Sequence, residues 1–120
     1  MINKARMDDK RKHMIDLNLS GKRAVVTGAS LGIGAATVKL LSDHGSDVVF
    51  CARNADAVSE LSSYSEGAGS VSGIVADMGD KSSTEEFISD VLSGGDVDLL
   101  INNVGAVSYT HLTLPTKRIV

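Results

Sequence analysis

Residues 23–34 read Arg23-Ala24-Val25-Val26-Thr27-Gly28-Ala29-Ser30-Leu31-Gly32-Ile33-Gly34. The aliphatic run Ala24-Val25-Val26 has the character of a strand buried on both faces, set here at 23–27. A glycine-rich turn follows it. From about Ile33 to His44, Val38, Leu40 and Leu41 are spaced among the small Ala35 and Ala36, and the segment stops at Gly45. That is a helix with a glycine terminator. A strand that feeds a glycine turn and then a helix presents backbone N–H groups where a pyrophosphate binds well. The alternative is a tight turn that only needs flexible backbone. Its place at the first strand-to-helix junction favours the phosphate reading.

The pattern repeats outward from this unit. Asp47–Ala52 (Asp-Val-Val-Phe-Cys-Ala) reads as a second strand. Asp56–Tyr64 carries Val58, Leu61 and Tyr64 at spacings of three, an amphipathic helix. Gly67-Ala68-Gly69-Ser70 is a turn, and Val71–Ala76 is a third strand. Ser82 or Ser83 can cap a helix running to Leu92, with Glu85 and Glu86 in its first turn and Gly94-Gly95 at its end. Asp96–Asn102 is a fourth strand. Such alternation implies an α/β fold: a partial Rossmann-type, doubly wound parallel sheet of about four strands and three helices, in the order 3-2-1-4.

Composition narrows the class. A chain of 120 residues suits one domain, and its aromatic content of 3% requires an aliphatic core. A net charge of −3 argues against a general nucleic-acid binder. The single cysteine, Cys51, rules out an internal disulfide and fits a reducing cytoplasm; within a buried strand it reads as an inert thiol. No apolar stretch approaches the roughly 18 residues of a membrane span. His13, His44 and His111 show no metal-ligand spacing, so no metal site is expected. Residues 1–13 have basic residues without an apolar segment behind them, so they read as a disordered or mis-assigned extension.

The glycine spacing is Gly-x-x-x-Gly-x-Gly (Gly28, Gly32, Gly34) with a leading Thr27. Asp77 follows the third strand, and Asn102-Asn103-Val104-Gly105 closes the fourth. Over residues 16–106 these motifs resemble the short-chain dehydrogenase/reductase family, including its 3-oxoacyl-carrier-protein reductases. The resemblance implies an oxidoreductase that uses a nicotinamide cofactor on a carbonyl or alcohol. Gly28, Ser30, Leu31, Gly32, Ile33 and Gly34 would line the pyrophosphate and ribose, Gly28 permitting the tight turn and Gly32 and Gly34 the close approach. Asp77 would accept from the adenine amino group beside the Met78 backbone. Asn103, Val104 and Gly105 would contact ribose, while Asn102 would brace the sheet. Arg53 and Asn54 follow the second strand, where relatives choose between cofactors. With no acid there and a guanidinium able to pair with a 2′-phosphate, NADP(H) is favoured over NAD(H). Leu31 departs from the second basic residue that many NADP-preferring relatives carry in the glycine loop.

The family's catalytic Tyr-x-x-x-Lys lies beyond the fourth strand; here Tyr109 is followed by Thr113 at that spacing, so no catalytic residue is assigned. Residues 107–120 lack the family's next helix, and Val107–Thr116 looks like a translated sequencing adaptor. The expected layout is an extension at 1–13, the first part of a dinucleotide-binding domain at 14–106, and a non-native tail at 107–120. A four-stranded piece would leave its fourth strand as an open edge. Marginal stability, little cofactor affinity and no turnover are expected of it. The full-length protein would be a homodimer or homotetramer acting on a small carbonyl or alcohol. A non-catalytic dinucleotide-binding module is the competing reading.

Overall fold

The computed structural model of the chain describes residues 18–29, 32–103 and 116–119. Strand β1 (Arg23–Thr27) leads through the glycine turn into helix α1 (Gly32–Asp43). Then come β2 (Asp47–Ala52), α2 (Ala55–Ser62), β3 (Ser70–Val75), α3 (Lys81–Ser93), β4 (Val97–Asn102) and β5 (Thr116–Ile119). All strand pairs are parallel, in the order β3-β2-β1-β4-β5. The expected order 3-2-1-4 stands, with one strand added.

That addition corrects the expectation of an open edge at β4. Thr116 to Ile119 pair alongside Val97 to Leu100 and occupy its free backbone groups. A strand whose two faces are otherwise apolar is better paired than left to solvent. Val107–Pro115, most of the segment expected to be a non-native tail, lie outside the described residues.

Alternation along the strands splits the interior into two cores. Ala24, Val26, Val48, Phe50 and Ala52 pack against Val38 and Leu41 of α1 and Val58 and Leu61 of α2. Val25, Cys51 and Leu100 pack on the other face against Phe87 and Val91 of α3. Each Val, Leu or Phe among them, fully buried, contributes about 1.5–3 kcal/mol. Aliphatic strands buried on both faces therefore read as continuous runs. Gly73 on β3 has a packing reason: a β-carbon there would stand 2.4 Å from Phe50 Cζ and 2.8 Å from Val58 Cγ1.

Two boundaries differ from expectation by more than one residue. Asp80, not Ser82 or Ser83, is the N-cap of α3; its side chain accepts from the Ser83 N–H at 2.9 Å. The helix starts at Lys81, so Glu85 and Glu86 fall outside the first turn, which contains no acid. Asp80, Ser82 and Ser83 are all competent caps, and only Asp80 has the extended backbone a cap requires. Helix α2 ends at Ser62, so Tyr64 lies beyond it; its hydroxyl donates to Asp43 Oδ1 at 2.5 Å, tying α2's end to α1.

Candidate functional site

Strands β1 and β4 are neighbours in the sheet, but their connections leave in opposite directions. Helix α1 returns to β2 on one side of β1, and α3 carries the chain from the β3 edge to β4 on the other face. At such a switch point the loops after the two strands diverge and leave a crevice at the strands' carboxyl ends. The glycine turn and Asn103 meet there.

The Thr27 hydroxyl holds the two strand ends together. It donates to Asn102 Oδ1 at 2.9 Å and accepts from the Asn103 N–H at 3.1 Å, and Thr27 is fully buried. Asn103 Nδ2 donates to the Gly28 carbonyl at 3.4 Å. The Ala29 N–H donates to the Cys51 carbonyl at 3.0 Å, pinning the turn to β2 as well. Asn102 thus braces the sheet, whereas Asn103 stands exposed at the crevice.

Gly34 shows why a larger residue cannot sit at the turn. A β-carbon there would lie 2.7 Å from the Gly28 carbonyl oxygen, 2.8 Å from Ala29 Cα and 2.8 Å from Asn103 Nδ2. Gly28 and Gly32 have φ of 67° and 58°, the left-handed region that glycine reaches without penalty. A β-carbon at Gly32 would meet nothing within 4 Å, so within the protein it is backbone conformation, not packing, that favours glycine there. Helix α1 has no acid in its first turn, so no side-chain charge there offsets the positive end of its dipole. A narrow backbone turn, open space at Gly32 and a helix start without acids fit a pyrophosphate.

The remaining site residues line the same edge of the sheet. Ile33 is 78% exposed at the turn, a position that no core packing explains. Arg53 is exposed immediately after β2. Asn54 is the N-cap of α2, its Oδ1 accepting from the Ala57 N–H at 3.0 Å, so that oxygen already has a partner. Asp77 is exposed after β3, and the Met78 side chain is buried in the α3-side core, which leaves only its backbone for a ligand. Ser30, Leu31, Val104 and Gly105 lie outside the described residues.

Two features escaped the sequence. One is the Thr27 bridge; the other is the Asp77 turn, in which the Gly79 N–H donates to Asp77 Oδ1 at 2.9 Å. The Asp-x-Gly spacing is the available signal for the second. Neither titrating oddity resembles an acid–base catalyst. Burial pushes the Cys51 thiol up to about 11 despite a backbone hydrogen bond from Gly28. The Asp43 hydrogen bond, which holds the proton on the Tyr64 phenol, pushes it up to about 12. Among the described residues no three His, Cys, Asp or Glu side chains form a metal-binding group, and no helix is long and apolar enough to cross a membrane.

A parallel sheet with a glycine turn at its switch point defines a dinucleotide-binding α/β protein. The profile of the family described as short chain dehydrogenase matches residues 22–118, and the chain belongs to that family. It is 40% identical over 103 residues to L-xylulose reductase of Mus musculus, covering 86% of this chain and 40% of that one. A short-chain dehydrogenase/reductase variant of Serratia marcescens superposes with a TM-score of 0.69 at 36% identity, over 76% of this chain and 38% of that one. L-sorbose reductase of Gluconobacter frateurii, solved with NADPH and L-sorbose, gives a TM-score of 0.70 at 30% identity, over 77% and 36% of the two chains. The chain spans between 33% and 41% of the length of the curated relatives it matches.

Proposed function

We propose that the chain is the cofactor-binding part of an NADP(H)-dependent oxidoreductase acting on a small carbonyl or alcohol in the cytoplasm. The observation that carries this reading is the Gly34 contact. Gly28, Ala29 and Asn103 would stand within 3 Å of a β-carbon at Gly34. Only glycine therefore lets the start of α1 pack hard against the end of β1, which sets a helix N-terminus at the switch point where a pyrophosphate is held. Gly28, Ser30, Leu31, Gly32, Ile33 and Gly34 would hold that pyrophosphate and its ribose, Asp77 with the Met78 backbone the adenine, and Asn103, Val104 and Gly105 the second ribose. Arg53, exposed and with no acid beside it on the chain, supports NADP(H): a guanidinium pairs with the 2′-phosphate, whereas NAD(H) offers a hydroxyl there. The NADPH bound to L-sorbose reductase points the same way. When bound, the cofactor supplies a hydride; these residues only position it.

The rest of the activity belongs to the whole protein, which would be a homodimer or homotetramer. The 120-residue chain is proposed to bind the cofactor weakly and to turn nothing over, with residues 107–120 outside the native product and 1–13 outside the domain. Finding Tyr-x-x-x-Lys in the continued reading frame supports the catalytic reading. A genomic stop codon directly after Val120 refutes the tail assignment.

The direct test is an NMR titration of the labelled chain with NADPH and NADH up to millimolar concentration. Shifts at Gly28, Gly34, Asp77 and Asn103, reached at lower NADPH than NADH, are expected. Tighter NADH binding overturns the NADP(H) preference. No shift with either ligand overturns the dinucleotide site, and NADPH-dependent reduction by the chain overturns its inactivity.

A further inference from the structure

Resting on the nucleotide reading above, we infer that Ser83 is a positioning residue for Asp77, the residue proposed to receive the adenine amino group. Three hydrogen bonds hold Asp77. Its N–H donates to Ser83 Oγ at 2.8 Å, its carbonyl accepts from the Asp80 N–H at 3.0 Å, and its Oδ1 accepts from the Gly79 N–H at 2.9 Å. Ser83 is itself fixed, because its N–H donates to Asp80 Oδ2 at 2.9 Å. The turn after β3 is therefore anchored to the first turn of α3 in both directions: Asp80 caps the helix, and Ser83 reaches back to Asp77.

This arrangement leaves Asp77 Oδ2 as the acceptor for a ligand N–H. A carboxylate already held by Gly79 loses little freedom when it receives that N–H, so binding is stronger than to a free side chain. Gly79 is closely placed beside that carboxylate: a β-carbon there would stand 3.2 Å from Asp77 Oδ1, which would have to give by a few tenths of an ångström. Met78 between them is buried and keeps the turn on the sheet. A ligand without an adenine amino group makes no use of this device.

The test compares Ser83→Ala, which removes the acceptor, with Ser83→Thr, which keeps it. Asp77 amide exchange, referenced to Val25 and Cys51 in the central strands, is expected to accelerate about tenfold in Ser83→Ala, the worth of one hydrogen bond. NADPH affinity by NMR titration is expected to fall roughly three- to tenfold. Affinity for reduced nicotinamide mononucleotide, which lacks the adenine, should stay unchanged, and Ser83→Thr should restore both readouts. Unchanged Asp77 exchange overturns the positioning role, whatever the binding data. Faster exchange with unchanged NADPH affinity, or equal losses for both ligands, overturns its link to adenine. If the parent chain shows no NADPH shifts while Ser83→Ala still loosens Asp77, the nucleotide reading fails and the hold on Asp77 stands.

Discussion

The two ends of the sheet use their polar groups in opposite ways. At the amino ends of the strands, polar atoms face one another. The Arg23 guanidinium donates from Nη1 to the Val91 and Gly95 carbonyls at 2.7 and 2.8 Å, closing the last turn of α3. The Arg23 N–H donates to Asp98 Oδ2 at 3.0 Å, and Ser46 Oγ to the Lys22 carbonyl at 3.1 Å. At the carboxyl ends, Arg53, Asp77 and Asn103 stand exposed, and the hydrogen bonds there fix backbone around them. One end spends its polarity on holding helices to the sheet; the other presents it. That contrast supports the ligand site proposed at the carboxyl ends, since exposed polar groups on a fixed backbone are what recognition needs.

Substitutions at the two ends should separate binding from stability. The largest effect is expected for Gly34→Val, which drives carbon into the Gly28 carbonyl and Ala29 Cα. A loss of about 3 kcal/mol in urea denaturation and disappearance of the NADPH shifts are predicted. Full NADPH shifts in this variant would break the contrast. Beneath the same turn, Cys51 adds a pH dependence. Its thiol is raised from 9.0 to about 11, so the folded chain holds that proton more tightly than the unfolded one. Its contribution is complete below pH 9.0 and is lost as pH rises towards 11, a fall of roughly 2–3 kcal/mol. Denaturation midpoints across that window should fall less steeply in Cys51→Ala; identical slopes would remove the assignment.

At the other end, Arg23→Met should cost about 2 kcal/mol, from charge-assisted bonds to the Val91 carbonyl in the last turn of α3 and the Gly95 carbonyl just beyond it, and leave NADPH shifts in place. The smallest effect has the reverse sign. Among the described residues, Ser42 Oγ, in the last turn of α1 at this end, is the buried side-chain atom without a hydrogen-bond partner. Ser42→Ala should raise thermal stability by about 1 kcal/mol; a loss would reveal a partner for that hydroxyl.

The two central strands were legible because burial on both faces leaves no room for alternation: Ala24-Val25-Val26 and Val48–Ala52 could be little else. The glycine turn was legible because its left-handed φ values restrict it to glycine. The start of α3 was not, since Asp80, Ser82 and Ser83 are equally good caps on paper and backbone dihedrals chose among them. Strand β5 was hidden for a different reason. Thr116-Lys117-Arg118-Ile119 has neither alternation nor an apolar run, and its pairing is decided by the free edge of β4. The hold of Ser83 on Asp77 joins two elements, so no spacing rule within either could reveal it.

The Thr27 bridge also has a consequence for how the crevice is assembled. Strand β1 meets β2 through pairs such as Val26 with Phe50, but it meets β4 through Thr27 and Asn102, 75 positions apart. Closing the longer loop costs about 1 kcal/mol more in chain entropy. The crevice is therefore built across the most expensive closure around β1. A dinucleotide spanning the Gly28 turn and Asn103 would bind only after that closure, and by mass action it would act as a clasp on the association of β4 with the rest of the sheet.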